Sequence, residues 1–433
     1  MAGQSEMRRE LDRYILITSD THAGPPPAAY KPYLAAKWHG EFAGWVEAEE
    51  GMREIMRQVM GERDIGVDGD PEVDGPRNWD SRRRLGETEA DGVVAEVIFP
   101  NTSPPFAPRP LSAFEEPGMG DDPKRRFAGI QAHNRWLAEF CAEAPGRRAG
   151  ICQIFLPDVA GSVEEIHWAK RNGLSGGVLL PGAPPGSGMA PLYAPEYEPI
   201  WAACEELGMP LNHHSGGGTP DFGLYLPESM AMFMLEVTWW ARRALWHLIF
   251  SGVFERHAAL QFVITEAGTD WAPRVLRELD VFYHRMKHET QGSEAIFGGP
   301  TVAKLSLEPS GYFARQCQIG ASFLPPKECR ARQEIGIERI LWGSDYPHTE
   351  GCYPYTRELL RLTFAGMPAA EIQQILAGNA ARVYGFDLEA LAPLAARVGP
   401  TKAEIAEPLA YGDVPLAARK CPAFSRANQV EVA

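Results

Sequence analysis

Four stretches of this 433-residue chain end an apolar run with side chains that can bind a metal ion or move a proton. They are Asp20-Thr21-His22, Asn212-His213-His214, Thr265-Glu266 and Ser344-Asp345-Tyr346-Pro347-His348. Carboxylates and imidazoles in combination make a mixed N/O shell suited to a divalent ion such as Zn, Mn or Fe. A carboxylate-rich shell suits Mn or Fe better than thiolate or all-His shells do. Asp20, His22, His214, Glu266, Asp345 and His348 are enough donors for one ion or two. On an extended backbone Asp20 and His22 share a face, whereas adjacent His213 and His214 point opposite ways, so at most one of the latter pair binds directly. Asp345, Glu266 and His348 are the candidates for proton transfer. For Glu266 the plain alternative is an ion pair with Arg274 or Arg382. His133, His167, His247, His257, His284 and His288 fall in helical segments and read as structural.

These groups need a frame that brings four distant stretches to one place. Strand signals recur at 14–18, 93–99, 149–156, 177–180, 210–214, 260–265, 317–321 and 339–342, and helical segments separate nearly all of them. Parallel strands require such crossovers, so the fold class is α/β, with eight units closing into a (β/α)8 TIM barrel. Barrel active sites lie at the C-terminal ends of the strands, where the four stretches stand. The whole of 1–433 reads as one domain. Residues 24–80 break the alternation and read as an insertion after strand one, lying over the barrel mouth. Residues 388–433, Ala-rich and interrupted by Pro, read as a C-terminal arm. The apolar stretch 230–254 contains Glu236, Arg242, Arg243 and His247 and reads as a large buried helix, not a membrane span.

Composition narrows the function classes. With 42 basic and 57 acidic residues the net charge is −15, which repels phosphate backbones and anionic lipid. Nucleic acid and membrane are therefore excluded as expected partners in favour of a small-molecule substrate. Met1–Glu10 has no apolar core of a secretory leader, and the seven cysteines form no CxxC pair. Both features point to a cytoplasmic protein with reduced thiols. The insertion and the arm offer surface for a homo- or hetero-oligomer.

The segments SDTHAG, LNHHSGG, FVITEAGTDWAPRVLRELD, ILWGSDYPH and ILAGNAARVYGFD resemble the amidohydrolase-related, aminocarboxymuconate-semialdehyde decarboxylase-like branch of the amidohydrolase superfamily. The resemblance implies metal-dependent hydrolysis or non-oxidative decarboxylation of a small carboxylated or amide-type substrate. It places metal ligands at Asp20, His22, His214 and Asp345, and favours His214 over His213. Some members of this barrel family are dinuclear, oxygen-activating hydroxylases, which leaves a monooxygenase with Fe or Mn as the alternative. Two positions depart from the family pattern. Asp20 replaces the usual His or Glu, and Glu266 stands where a catalytic His is common.

Overall fold

The computed structural model describes residues 12–60, 75–107, 122–223 and 225–427. Residues 61–74 of the expected insertion, 428–433 of the expected arm and Met1–Glu10 lie outside the described residues. Nine parallel runs form the sheet: β1 (Ile17–Ala23), β2 (Ala95–Pro100), β3 (Arg148–Gly150), β4 (Cys152–Gln153), β5 (Val178–Leu179), β6 (Leu211–His214), β7 (Phe262–Thr265), β8 (Cys317–Ser322) and β9 (Ile340–Gly343). β3 and β4 are halves of one strand, divided at Ile151, whose N–H still donates to Ile98 O. Eight strands therefore pair in sequence order, each parallel to its neighbour. Both faces of such a sheet are covered, which explains why runs such as FVIT and ILWG are buried along their whole length. The fold is a (β/α)8 barrel.

The ring closes between β9 and β1 through few bonds. Thr21 and Tyr346 form a single parallel bridge. Asp345 N–H donates to Asp20 O at 2.9 Å and His22 N–H to Tyr346 O at 2.8 Å. Side chains supply the rest: Thr18 Oγ1 accepts from Ser344 N–H at 2.8 Å and Ser19 Oγ donates to Trp342 O at 2.9 Å. They are needed because the β1–β2 register shifts between Thr18 and Thr21. A bulge of this kind re-aims side chains and is common beside active sites. β1 consequently runs to Ala23, beyond the expected end at Thr18. Gly343 makes room at the seam, since a Cβ there would come within 2.5 Å of Asp20 Cβ.

Behind β1 a buried ion network fixes the backbone. Arg84 donates from Nη2 to Glu96 Oε2 at 2.7 Å and from Nη1 to His22 O at 2.7 Å. Arg148 Nε donates to the other oxygen of Glu96 at 3.1 Å. Removing one member of a buried pair leaves an uncompensated charge, at a cost of about 3–5 kcal/mol. Arg84→Met is expected to lower unfolding stability by up to that amount, measured by urea denaturation, because Glu96 keeps Arg148 as its one counter-charge.

Several outer elements differ from expectation for physical reasons. Tyr30 in segment 24–80 hydrogen-bonds Thr102 Oγ1 and His133 Nδ1, and Trp38 and Phe42 pack on Phe106. Residues 30–42 of that segment thus sit against the loop after β2. The helix Leu388–Val398 buries Leu391 and Ala395 among Ile15, Ile17, Val94 and Tyr384. It therefore packs on the N-terminal end of the barrel. The helix Glu228–Phe250 is buried over its second half, but Ser229 and Phe233 are the only residues buried in its first half. An all-round apolar helix reads as buried from sequence; this one is not, and Trp239 is 48% exposed. Among the described residues no helix is long and apolar enough to cross a membrane. All seven cysteines are free, and six are buried.

Candidate metal centre

Asp20 projects from the β1 bulge and His22 from just beyond it, and His214 ends β6. Glu266 follows β7 and Asp345 follows β9 by two residues. Glu266 and Asp345 both occupy the left-handed region, with φ of 58° and 60°. For a non-glycine residue this conformation costs on the order of 1–3 kcal/mol and is typical of functional sites. The turn takes each carboxylate off its strand and towards the barrel axis.

The six groups nominated from the sequence converge. His22 Nε2 lies 3.3 Å from Asp20 Oδ1 and 3.3 Å from Asp345 Oδ1. His214 Nε2 lies 3.4 Å from Asp20 Oδ1 and 3.3 Å from Glu266 Oε2. His348 Nδ1 approaches Asp345 Oδ1 at 2.8 Å, and its ring stacks on His22 with centroids 4.0 Å apart. In two groups, Asp20–His22–His214–Glu266 and His22–Asp345–His348, the donor atoms all lie within 4.8 Å of one another. The alternative reading of Glu266 fails: Arg274 pairs with Glu278, and Arg382 donates to Glu338 O.

The histidine orientations are set by their second nitrogens. His22 Nδ1 donates to Pro100 O at 3.4 Å and His214 Nδ1 to Ser215 O at 3.0 Å, so both Nε2 atoms face the carboxylates. His213 turns the other way, with Nδ1 on Leu180 O at 2.8 Å, and burial pushes its imidazole down to about 4. Of the two neighbours, His214 is the one at the centre. Behind His348 a chain of amides fixes polarity. Asn78 Nδ2 donates to Gly75 O, Asn101 Nδ2 donates to Asn78 Oδ1, and Asn101 Oδ1 accepts from His348 Nε2 at 2.9 Å. The Nδ1 atom of His348 is therefore the one turned to Asp345.

Three supporting residues were not found from the sequence. Ser322 Oγ donates to Asp20 Oδ2, leaving Oδ1 towards the histidines. Phe99 packs on His214 with centroids 4.6 Å apart. Asn101 completes the amide chain. Ser322 ends β8, so a search of every strand end would have reached it.

Electrostatics oppose and then favour charge here. Burial alone would lower the His22 imidazole, but Asp20 and Asp345 hold it up at about 9. His214 is likewise held at about 9 against burial by Asp20 and Glu266. Asp20 stays well below the usual carboxylate range, because His214 and His22 outweigh its burial. Burial, then the negative charge of Asp345 and Asp20, pushes Glu266 up to about 7.

The donor set fits a divalent cation. His22 Nε2 and the carboxylate of Asp345 are buried, and among the described residues they meet only the other candidate ligands, His22, His348 and Asp20. Like-charged carboxylates thus share one buried pocket, a costly arrangement unless a cation satisfies them. Ligands about 2.1 Å from one ion lie roughly 3.0–3.4 Å apart around a four- to six-coordinate shell. The spacings of 3.3, 3.3, 3.4 and 3.3 Å match those edges.

Comparison with known proteins agrees with this architecture. A gamma-resorcylate decarboxylase of Rhizobium sp. (strain MTP-10005) is 27% identical over 248 residues, covering 55% of this chain and 72% of its own. The crystal structure of 5-carboxyvanillate decarboxylase from Sphingomonas paucimobilis superposes with a TM-score of 0.60 at 19% identity, covering 86% of this chain and all of that one. A 5-carboxyvanillate decarboxylase from Novosphingobium aromaticivorans, solved with manganese and 3-methoxy-4-hydroxy-5-nitrobenzoic acid, gives 0.60 at 19% identity, covering 86% and 98%. The amidohydrolase family profile matches residues 20–386, from the first donor of β1 to the last helix before Leu388, and the chain belongs to that family.

Proposed function

We propose that this chain is a metal-dependent carboxy-lyase that removes carbon dioxide from a hydroxylated aromatic acid. The observation that carries the metal is the buried convergence of Asp20, His22, His214 and Asp345 through donor spacings of 3.3, 3.3 and 3.4 Å. The chemistry of the substrate comes from the decarboxylase relatives, whose names specify aromatic acids. In this reading Asp20, His22, His214 and Asp345 hold the ion, of which Mn is the type bound in a relative. When bound, it supplies positive charge that orients the substrate carboxylate and an adjacent oxygen.

The remaining steps belong to the protein. Phe99 and the stacked His22–His348 pair form an aromatic wall beside the site. Tyr30 and Asn78, hydrogen-bonded to Thr102 and Asn101 after β2, hold the flanking segments beside that wall. When the C–C bond breaks and carbon dioxide leaves, the ring carbon must gain a proton. Glu266, whose raised pKa of about 7 keeps a share of it protonated near neutral pH, donates it and is recharged from water.

A single ion is favoured over two. Nδ1 of His22 is committed to Pro100 O, so His22 has one lone pair and serves one ion, although it belongs to both donor groups. The decisive experiment measures metal per chain and carbon dioxide released from gamma-resorcylate and 5-carboxyvanillate. One ion per chain, with release lost on chelation and restored by Mn, is the expected outcome. Two ions with oxygen consumption would establish the hydroxylase instead, and turnover of amides without carbon dioxide would establish a hydrolase.

A further inference from the structure

A buried side-chain amide is costly when one of its ends finds no partner. Gln316 shows the usual solution: its Nε2 donates to His257 O at 3.0 Å and to Leu260 O at 2.9 Å. Gln153 is 9% exposed, and its Nε2 makes no hydrogen bond. The backbone of Gln153, by contrast, is held at both polar groups by one side chain. Asn134 Oδ1 accepts from Gln153 N–H and Asn134 Nδ2 donates to Gln153 O, both at 2.9 Å. Asn134 Nδ2 also donates to Glu165 Oε1 at 2.9 Å, which fixes its orientation. The fold therefore places Gln153 firmly and leaves the donor end of its amide unused.

That amide faces the barrel axis. Ala149 and Ile151 pack in the interior cluster with Val97 and Phe99. Cys152 and Ile154 pack in the outer cluster, which includes Leu137 and Phe140 of helix Pro123–Ala142. Alternation along the strand turns Gln153 inward.

Its height follows from the tilt of the strands. In an eight-stranded barrel the level position gains about one residue per strand relative to the direction of pairing. His22 stands opposite Phe99, and Ile98 opposite Gly150, which sets Phe99 against Ile151. Two strands on from His22, the level residue is therefore two beyond Ile151, namely Gln153. From there the pairing runs to Leu179 and Asn212, and two residues further is His214. The count closes, because the rings of His22 and His214 are indeed neighbours, with centroids 5.1 Å apart. Gln153 thus stands in the same layer as the histidines of the metal centre. Phe99, on the strand between β1 and β3, packs on both of them.

We propose that Gln153 is a specificity-determining residue, whose amide donates a hydrogen bond to a phenolic oxygen of the aromatic acid. The inference rests on the reading of this centre as a site for hydroxylated aromatic acids. Ionised Asp20 and Asp345 offer only acceptors, and His22 and His214 are committed to the ion. A neutral donor for a ring oxygen has to come from another side chain of that layer, and Gln153 supplies one. A site built to hydrogen-bond a hydroxyl discriminates against the analogue without it, because its own polar group is then left unpaired.

The test is calorimetric binding of gamma-resorcylate, and of benzoate, which lacks the hydroxyls, to the Mn-loaded protein. Wild type is expected to prefer gamma-resorcylate. Gln153→Met, of similar length but without a donor, should weaken gamma-resorcylate about 10–100-fold and leave benzoate and metal content within a few-fold of wild type. Gln153→Asn withdraws the same amide by one methylene and should lose at least about 5-fold of the preference, which covers the case that methionine unfolds the chain. Equal wild-type affinities for the two acids overturn the inference. So does either variant, folded by circular dichroism, that keeps the full wild-type preference. Carbon dioxide release separates this failure from that of the reaction. Binding of gamma-resorcylate through Gln153 without any release sustains the inference and removes the carboxy-lyase. Release with a preference that neither substitution alters does the reverse.

Discussion

Asp345→Asn is expected to lose divalent-metal retention by at least about 100-fold and turnover by about 10²–10⁴-fold, with the barrel still folded. Asp345 is fully buried, and the imidazoles of His22 and His348 stand 3.3 and 2.8 Å from its Oδ1. Asparagine removes the charge yet tolerates the φ of 60° that the backbone requires, whereas alanine would add strain of its own. The two main-chain bonds of the seam are unaffected, so the far-ultraviolet dichroism should not change. Metal content by plasma mass spectrometry is the measurement. Full metal occupancy in this variant would place the centre elsewhere.

Glu266→Gln should separate binding from chemistry. Glu266 is the donor beside His214, at 3.3 Å, and the one site carboxyl whose pKa is raised to about 7. With glutamine the shape is kept and the proton is lost. Metal content should then stay within a few-fold of wild type while kcat falls about 10²–10⁴-fold. The sign of the pH effect follows from the role. A donor must be protonated, so wild-type kcat should fall as pH rises through the Glu266 pKa, at or below about 7 once a cation lies beside it. That alkaline limb should be absent from the variant's residual activity. If the variant instead loses half of two bound ions, Glu266 bridges them and is no proton donor.

Much of this centre was legible in the sequence because barrel geometry makes it local. An apolar run of four to six residues followed by Asp, His or Glu states both the strand and the end at which the group stands, as for ILWG before Ser344-Asp345. The alternation rule also separated His213 from His214, although only the coordinates show which one faces inward. Ser322 and Asn101 were not legible in the same way. Their partners, Asp20 and His348, lie 302 and 247 residues away, and no local pattern encodes such bonds. The helix Glu228–Phe250 misled for a different reason. Apolar side chains on every face signal burial, but the signal does not distinguish burial by the barrel from burial by something else.

The seam between β1 and β9 links the barrel's closure to its chemistry. The peptide groups that close the ring are those of Asp20, His22, Asp345 and Tyr346, so the ligand-bearing segments are also the clasp. Among the described residues a bridge and the hydroxyls of Thr18, Ser19 and Ser344 reinforce it. A cation tying Asp20 and His22 to Asp345 would act across this gap as a crosslink. The amide protons of His22 and Asp345 then become reporters of occupancy: their exchange with deuterium should slow on metal loading far more than that of the fully paired β7–β8 ladder. The centre can thus be followed through the breathing of its own barrel, without a substrate.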